Sequence, residues 1–233
     1  MRHVALMLLT GALLAGCAAP GSGPAPRLDR GFSLAGLAKS DIDKVAEVHH
    51  YHLFQSLRRL TLKLYRRNPA EWRKRGVDSA EAAVADLFDR DHRWRLEALN
   101  YRRGAEAIQI ALTPDYPGDR VRAFVTGMVS MVQKALGDRA EFYLLDEVDP
   151  QRVYNAARNI EVAAWKLGQA RDEHGQLLLL SNEMGPVTNL SFEREFGRQI
   201  ALLDALADVL AEREGRTITR VIQNAATAVF LPL

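Results

Sequence analysis

The sequence predicts an all-α fold, a single domain of about seven or eight helices following a flexible N-terminal tether. Three observations carry that expectation. Apolar residues recur at spacings of three and four through most of the chain beyond residue 39. Residues that cap or stop helices, namely Ser, Asp, Pro and Gly, stand where those runs begin and end. Only residues 142–145 and 177–180 have strand character, and both stretches are too short to build a sheet.

The first helix opens at Ser40, with Asp43 three residues on in capping-box fashion. Its seam runs through Ile42, Val45, His49, Leu53, Leu60 and Leu64, and it ends near Arg67 in a cationic turn that suits the helix dipole. Asn68-Pro69 starts a short second helix, since proline is tolerated at the first helical position. A third covers about 79–89 with Val84, Leu87 and Phe88 inside, and a fourth is expected over about 91–112. The breaker-rich loop 113–118 separates it from an apolar helix capped by Asp119 and carrying Val121, Val125, Met128, Val132 and Leu136. Asp149-Pro150 opens the next, with Val153, Ala157, Ile160, Ala164 and Leu167 on one face and Gly175 just past its end. Ser191 begins another, burying Phe192, Phe196, Ile200, Leu203, Leu206 and Leu210. A last helix is expected from Ile218, Val221, Ile222, Ala225 and Val229.

The N-terminus carries an address. One fixed positive charge at Arg2 precedes an apolar run at 4–14, far short of the roughly 20 residues that span a bilayer. Small residues follow, the order of a secretory signal peptide. Leu14-Ala15-Gly16-Cys17 resembles the lipobox of bacterial lipoproteins. The resemblance implies that residues 1–16 are a signal peptide removed at maturation, and that Cys17 becomes the first residue, with diacylglycerol on its thiol and an acyl chain on its amine. One acyl chain binds a bilayer only marginally, at about 0.8 kcal/mol per buried CH₂, whereas three make release very slow. Ala18, in place of the Asp that retains such proteins at the inner membrane, implies the periplasmic face of the outer membrane. Residues 17–38 then form the lipidated cysteine and tether, whose AAPGSGPAP composition gives a reach of roughly 25 Å, and 39–233 form the helical domain.

Composition narrows function less. Basic and acidic residues number 31 and 29, so net charge selects no partner. Cys17 is the single cysteine, which leaves the domain without a disulfide, a thiolate nucleophile or a cysteine metal site once it is acylated. No GxSxG, SxxK, P-loop, GxGxxG or calcium-loop pattern occurs, so no cofactor is expected and the motifs give no ground for an enzyme.

Three constellations remain as candidate sites. His49 and His52 share a helical face and suit two metal ligands, but no third ligand is evident and HExxH is absent, so no metal site is assigned. Arg58, Arg59, Lys63, Arg66, Arg67, Arg73, Lys74 and Arg75, with Trp72 among them, form a basic stretch. Behind a signal peptide its targets are anionic lipid, lipopolysaccharide or another envelope protein and not nucleic acid. The alternative is a solvated face paired to Asp138, Glu141, Asp146, Glu147 and Asp149. Finally, Asn155, Arg158, Asn159 and Glu161 put two asparagines mid-helix, where their amides compete with the backbone. They suit either a ligand pocket or a network to a neighbouring segment such as 181–183 or Asn189.

The runs SDIDKVAEVHHYH, KLYRRNP and DPQRVYNAARNIEVAAWKLGQARDEHGQLLLLSN resemble a family of uncharacterised proteobacterial outer-membrane lipoproteins, a likeness that implies location and no activity. Together these features point to an envelope structural or interaction module. The alternative is a periplasmic ligand-binding or hydrolytic domain using a polar pocket on the 150–174 helix.

Overall fold

Seven α-helices and one 3-10 turn make up the regular structure among the described residues: α1 (Asp41–Arg67), α2 (Pro69–Arg73), α3 (Ala80–Phe88), the turn Glu97–Leu99, α4 (Gly104–Ala111), α5 (Arg120–Ala135), α6 (Pro150–Gln169) and α7 (Ser191–Glu214). The structure, a computed structural model, describes residues 41–138, 148–186, 188–223 and 227–233. The stretches read as signal peptide (1–16) and tether (17–38, with Cys17), the expected Ser40 cap, the 142–145 stretch, Glu141, Asp146, Glu147 and Ala225 lie outside them. Strands are absent among the described residues, where only the isolated bridges Arg171–Leu177 and Glu183–Asn189 occur. The fold is all-α, as the periodicity predicts.

Helix α5 sits at the centre because its sequence is apolar on every side, which only burial on every side satisfies. Val121, Phe124, Val125, Met128, Val129 and Val132 are all fully buried. Helix α4 packs closely against it at Gly127, where a Cβ would lie 2.5 Å from Ile108 Cγ1 and 2.6 Å from the Gly104 carbonyl. The long helix α1 contributes Leu53, Leu57, Leu60 and Leu64 to the same core and rests on α3, α5 and α7. Helices α6 and α7 pair through Val153, Ala157, Ile160, Phe196, Leu203 and Leu206, the faces expected of them. Caps fall where the sequence places them: Ser79 Oγ accepts from Ala82 N (3.0 Å), Asp119 from Arg122 N (2.8 Å) and Asp149 from Gln151 N (3.0 Å).

Three expectations fail. The fourth helix does not run over 91–112; only Gly104–Ala111 is α-helical. Arg93, Trp94, Asn100 and Tyr101 have positive φ between 48° and 59°, a conformation that no helix continues through and that costs on the order of 1 kcal/mol at a non-glycine residue. Trp94 is the cause, for its ring is buried edge-on against Phe88 at 5.2 Å and Phe54 at 6.4 Å. His92 fixes the turn by donating from Nε2 to the Leu87 carbonyl (2.7 Å) and accepting the Trp94 N–H on Nδ1 (3.0 Å).

The last helix is also absent among the described residues. After Gly215, whose φ of 61° ends α7, residues 216–223 and 227–233 run without regular structure as a strap along α6. The backbones of Thr219, Val221, Leu231 and Pro232 bond to α6 side chains, which removes the reason to coil there. Finally, α6 stops at Gln169, and Gly175, with φ 76°, closes a separate turn in which Asp172 Oδ1 accepts from His174 N and Gln176 N.

Candidate functional site

The basic stretch is built on α1 and α2 as a lattice of internal ion pairs. Arg58 binds Asp89 through both guanidinium nitrogens, Arg66 reaches Glu81 at 2.6 Å, and Arg67 pairs with Glu183. Arg59 lies 3.4 Å from Glu195, Lys74 holds Glu71 at 2.8 Å, and Arg75 shares Asp86 with Arg122. Lys63 donates to the Ser191 carbonyl at 2.5 Å and lies over the Phe192 ring. Arg73 has no carboxylate partner among the described residues and stacks on Trp72 at 5.0 Å. These partners come from α2, α3, α7 and loops; of the acidic residues 138–149 that are described, Asp138 pairs with Arg103 and Asp149 caps α6.

Charge pairing shows in the titration of the partners. A hydrogen bond from Arg58 holds the Asp89 carboxyl below the usual range, and one from Arg66 does the same for Glu81. Burial works against the charge of Asp86, yet hydrogen bonds from Arg122 and Arg75 outweigh it and lower its pKa. Burial depresses Lys63.

The polar face of α6 does something the sequence does not specify. Asn159 makes a two-point contact with one residue of the strap, donating Nδ2–H to the Leu231 carbonyl (2.9 Å) and accepting the Leu231 N–H (2.6 Å). Asn155 donates to the Pro232 carbonyl (2.9 Å) and accepts from Gln151 (2.9 Å). One turn toward the N-terminus, Gln151 grips Thr219 in the same two-point manner (2.7 and 3.1 Å), and Tyr154 Oη both donates to and accepts from Val221. The amides therefore serve a structural network, with the strap as partner and not 181–183 or Asn189. Arg158 turns the other way, to Asp204 at 2.7 Å and Glu161 at 3.1 Å, and burial raises both of those carboxyls.

The histidines diverge. His49 donates Nδ1–H to the Val45 carbonyl (2.9 Å), His50 packs on Phe54 with centroids 4.4 Å apart, and exposed His52 meets the edge of Tyr51. No group of three His, Cys, Asp or Glu side chains among the described residues is arranged to hold a metal ion.

Two buried networks escaped the sequence. Ser56 Oγ donates to Glu195 Oε2 (2.8 Å) and accepts from Gln199 (3.2 Å), tying α1 to α7 inside the core. At the opposite end of α1, Tyr65 Oη donates to Asp119 (2.8 Å), Arg120 N donates to Glu71 (2.7 Å), and the Arg120 guanidinium donates to the carbonyls of Ala111, Thr113 and Pro114. A cleft of about 370 Å³ opens beside this cluster, between Leu99, Tyr116, Lys74 and Arg122. Burial raises the Asp119 carboxyl and pushes the Tyr65 phenol up. Both Asp119 oxygens are already engaged, by Arg122 N and Tyr65, so the cluster's chemistry is that of a loop clamp. Asp119, readable as a helix cap, was its only sequence trace.

No protein-family model, curated protein or solved structure matches the chain.

Proposed function

We propose that this chain is a lipid-anchored envelope lipoprotein whose helical domain acts as a structural or interaction module at the periplasmic face of the outer membrane. One observation carries the proposal: an apolar run too short to span a bilayer leads directly into Leu14-Ala15-Gly16-Cys17. No helix among the described residues is long and apolar enough to cross a membrane, so attachment by acyl chains at Cys17 supplies what the domain does not. The internal pairing of the basic face and the engagement of the α6 amides favour a rigid body that presents surfaces over one organised around a reacting centre.

The test is mass spectrometry of protein taken from its own host, with density separation of the membranes. The expected product begins at Cys17, carries diacylglycerol and an added acyl chain, and travels with the outer membrane. Cys17→Ala is expected to lose the acyl mass. An unmodified start, or an intact leader on the native chain, overturns the proposal.

A further inference from the structure

Of the seven large apolar side chains exposed among the described residues, six fall into two groups and Tyr101 stands apart. Leu180, Met184 and Leu190, of which Met184 is 80% exposed, all belong to the connection between α6 and α7. That connection is pinned to the end of α1. Asn68 holds both the N–H and the carbonyl of Leu180 with one amide (2.7 and 2.8 Å), Arg67 pairs with Glu183, and Lys63 donates to the Ser191 carbonyl. Glu183 and Asn189 exchange two backbone bonds (3.0 and 2.9 Å), which brings Met184 and Leu190 to the same end of the molecule. Also at this end are Arg66 in the last turn of α1, Arg73 on Trp72 in α2, and Arg194 in the first turn of α7. Of these cations, Lys63, Arg66 and Arg67 are engaged by the Ser191 carbonyl, Glu81 and Glu183, whereas Arg73 and Arg194 have no carboxylate partner among the described residues. Water-exposed Met and Leu ringed by surplus Arg and Lys is the chemistry of an interfacial membrane contact, with apolar groups at the acyl boundary and cations at phosphates. The other exposed apolar strip, Val221, Ile222 and Val229, lacks the charge: neighbouring Arg220 is paired with Asp208 at 2.8 Å.

We infer that the end formed by α1, α2 and the connection between α6 and α7 docks on an anionic phospholipid bilayer, with Met184 and Leu190 entering the headgroup boundary. The inference rests on the envelope reading for a bilayer to be at hand, and it deepens that reading by orienting the domain on it. Because each cation near an anionic surface strengthens attraction about fivefold, the charged ring fixes the approach and the apolar tips fix the depth.

The experiment places an environment-sensitive fluorophore on the full chain at Met184→Cys or, in a parallel sample, at Ile222→Cys. Both samples meet vesicles of phosphatidylethanolamine with phosphatidylglycerol. The expected result is a blue shift at position 184, with loss of emission to quenchers carried on the acyl chains, and a water-like spectrum at 222. Vesicles of phosphatidylcholine alone, or the triple change Arg66→Glu, Arg67→Glu, Arg73→Glu, are expected to shrink the shift at 184. A water-like spectrum at 184, a membrane spectrum at 222, or a shift indifferent to lipid charge overturns the inference. The mass of the same samples reports acylation of Cys17, so a missing anchor and an idle loop give different results. Where Cys17 proves unmodified, the labels are placed in a Cys17→Ser background and vesicle sedimentation is read first, absence of binding counting against the inference.

Discussion

Asn159→Ala tests whether the α6 amides hold the strap. Asn159 is 1% exposed and makes two hydrogen bonds to Leu231, at 2.9 and 2.6 Å. Each such bond contributes about 0.5–1.5 kcal/mol net, and leaving the Leu231 N–H and carbonyl partnerless adds a further penalty that water partly relieves at this half-buried residue. The loss comes to roughly 2–3 kcal/mol. It is capped by the strap's own docking free energy, because the strap can lift away from α6 before the bundle opens. Two measurements separate these outcomes. Urea unfolding followed by circular dichroism gives the global loss, and hydrogen exchange at Leu231 gives the local one, expected to quicken about 30-fold for 2 kcal/mol. Ile222→Ser, at a fully exposed site on the same strap, is expected within about 0.5 kcal/mol of the parent. An Asn159→Ala chain as stable as that control, with Leu231 exchange unchanged, would refute the clamp.

Glycine to alanine should change sign between two helices. Gly197→Ala in α7, where a Cβ meets nothing within 4 Å, is expected to stabilise by about 0.5–1 kcal/mol. Gly127→Ala in α5 meets backbone of α4 and is expected to destabilise by about 1–3 kcal/mol; urea midpoints moving in the same direction would contradict the packing. Burial holds the His50 imidazole down at about 4, against 6.5 in the open chain. The unfolded chain therefore takes the proton first, and stability is lost as pH falls from 6.5 toward 4. His50→Phe should flatten that part of the stability profile, and an unchanged slope would remove His50 as its source. Arg120→Ala strips three carbonyls of their donor. It is expected to cost about 2–4 kcal/mol, read as a fall in Tm of several degrees, whereas a Tm within about 1 °C of the parent would mean water replaces the guanidinium without loss.

Helix existence was legible wherever an apolar stripe and a cap agreed, as at Ser79, Asp119 and Asp149. Both signals are local, and local physics suffices when the buried face is continuous. Two of the failures share one cause, tertiary contacts that outweigh the helix, whereas the early stop of α6 comes from the local turn of Asp172 and Gly175. Between 91 and 103, the burial of Trp94 against Phe54 and Phe88 outweighs the strain of four positive φ angles. Beyond Gly215, the spacing of Ile218, Val221, Ile222 and Val229 is as helical as that of α7. Yet Val221 and Val229 are exposed and Ile222 wholly so, because Gln151, Tyr154 and Asn159 have taken the backbone bonds. Periodicity cannot register a competitor some seventy residues away.

The candidate sites follow the same division between local and distant forces. A basic run reads as unsatisfied charge because its counter-charges, Asp89, Glu81, Glu183 and Glu195, come from other elements. Two asparagines at i and i+4 suit a ligand pocket or a structural network alike, because an amide is indifferent to whose backbone it holds; here the chain's own strap takes that place. The proposal for Cys17 depends on no fold, since it rests on linear sequence alone. If acylation confines the domain to a surface, the side chains that matter are those still facing outward after internal pairing is complete. Among these are Met184 and Leu190, held at the end of α1 through contacts of Asn68, Arg67 and Lys63. No spacing rule joins residue 68 to residue 180, so that grouping emerges only from the fold.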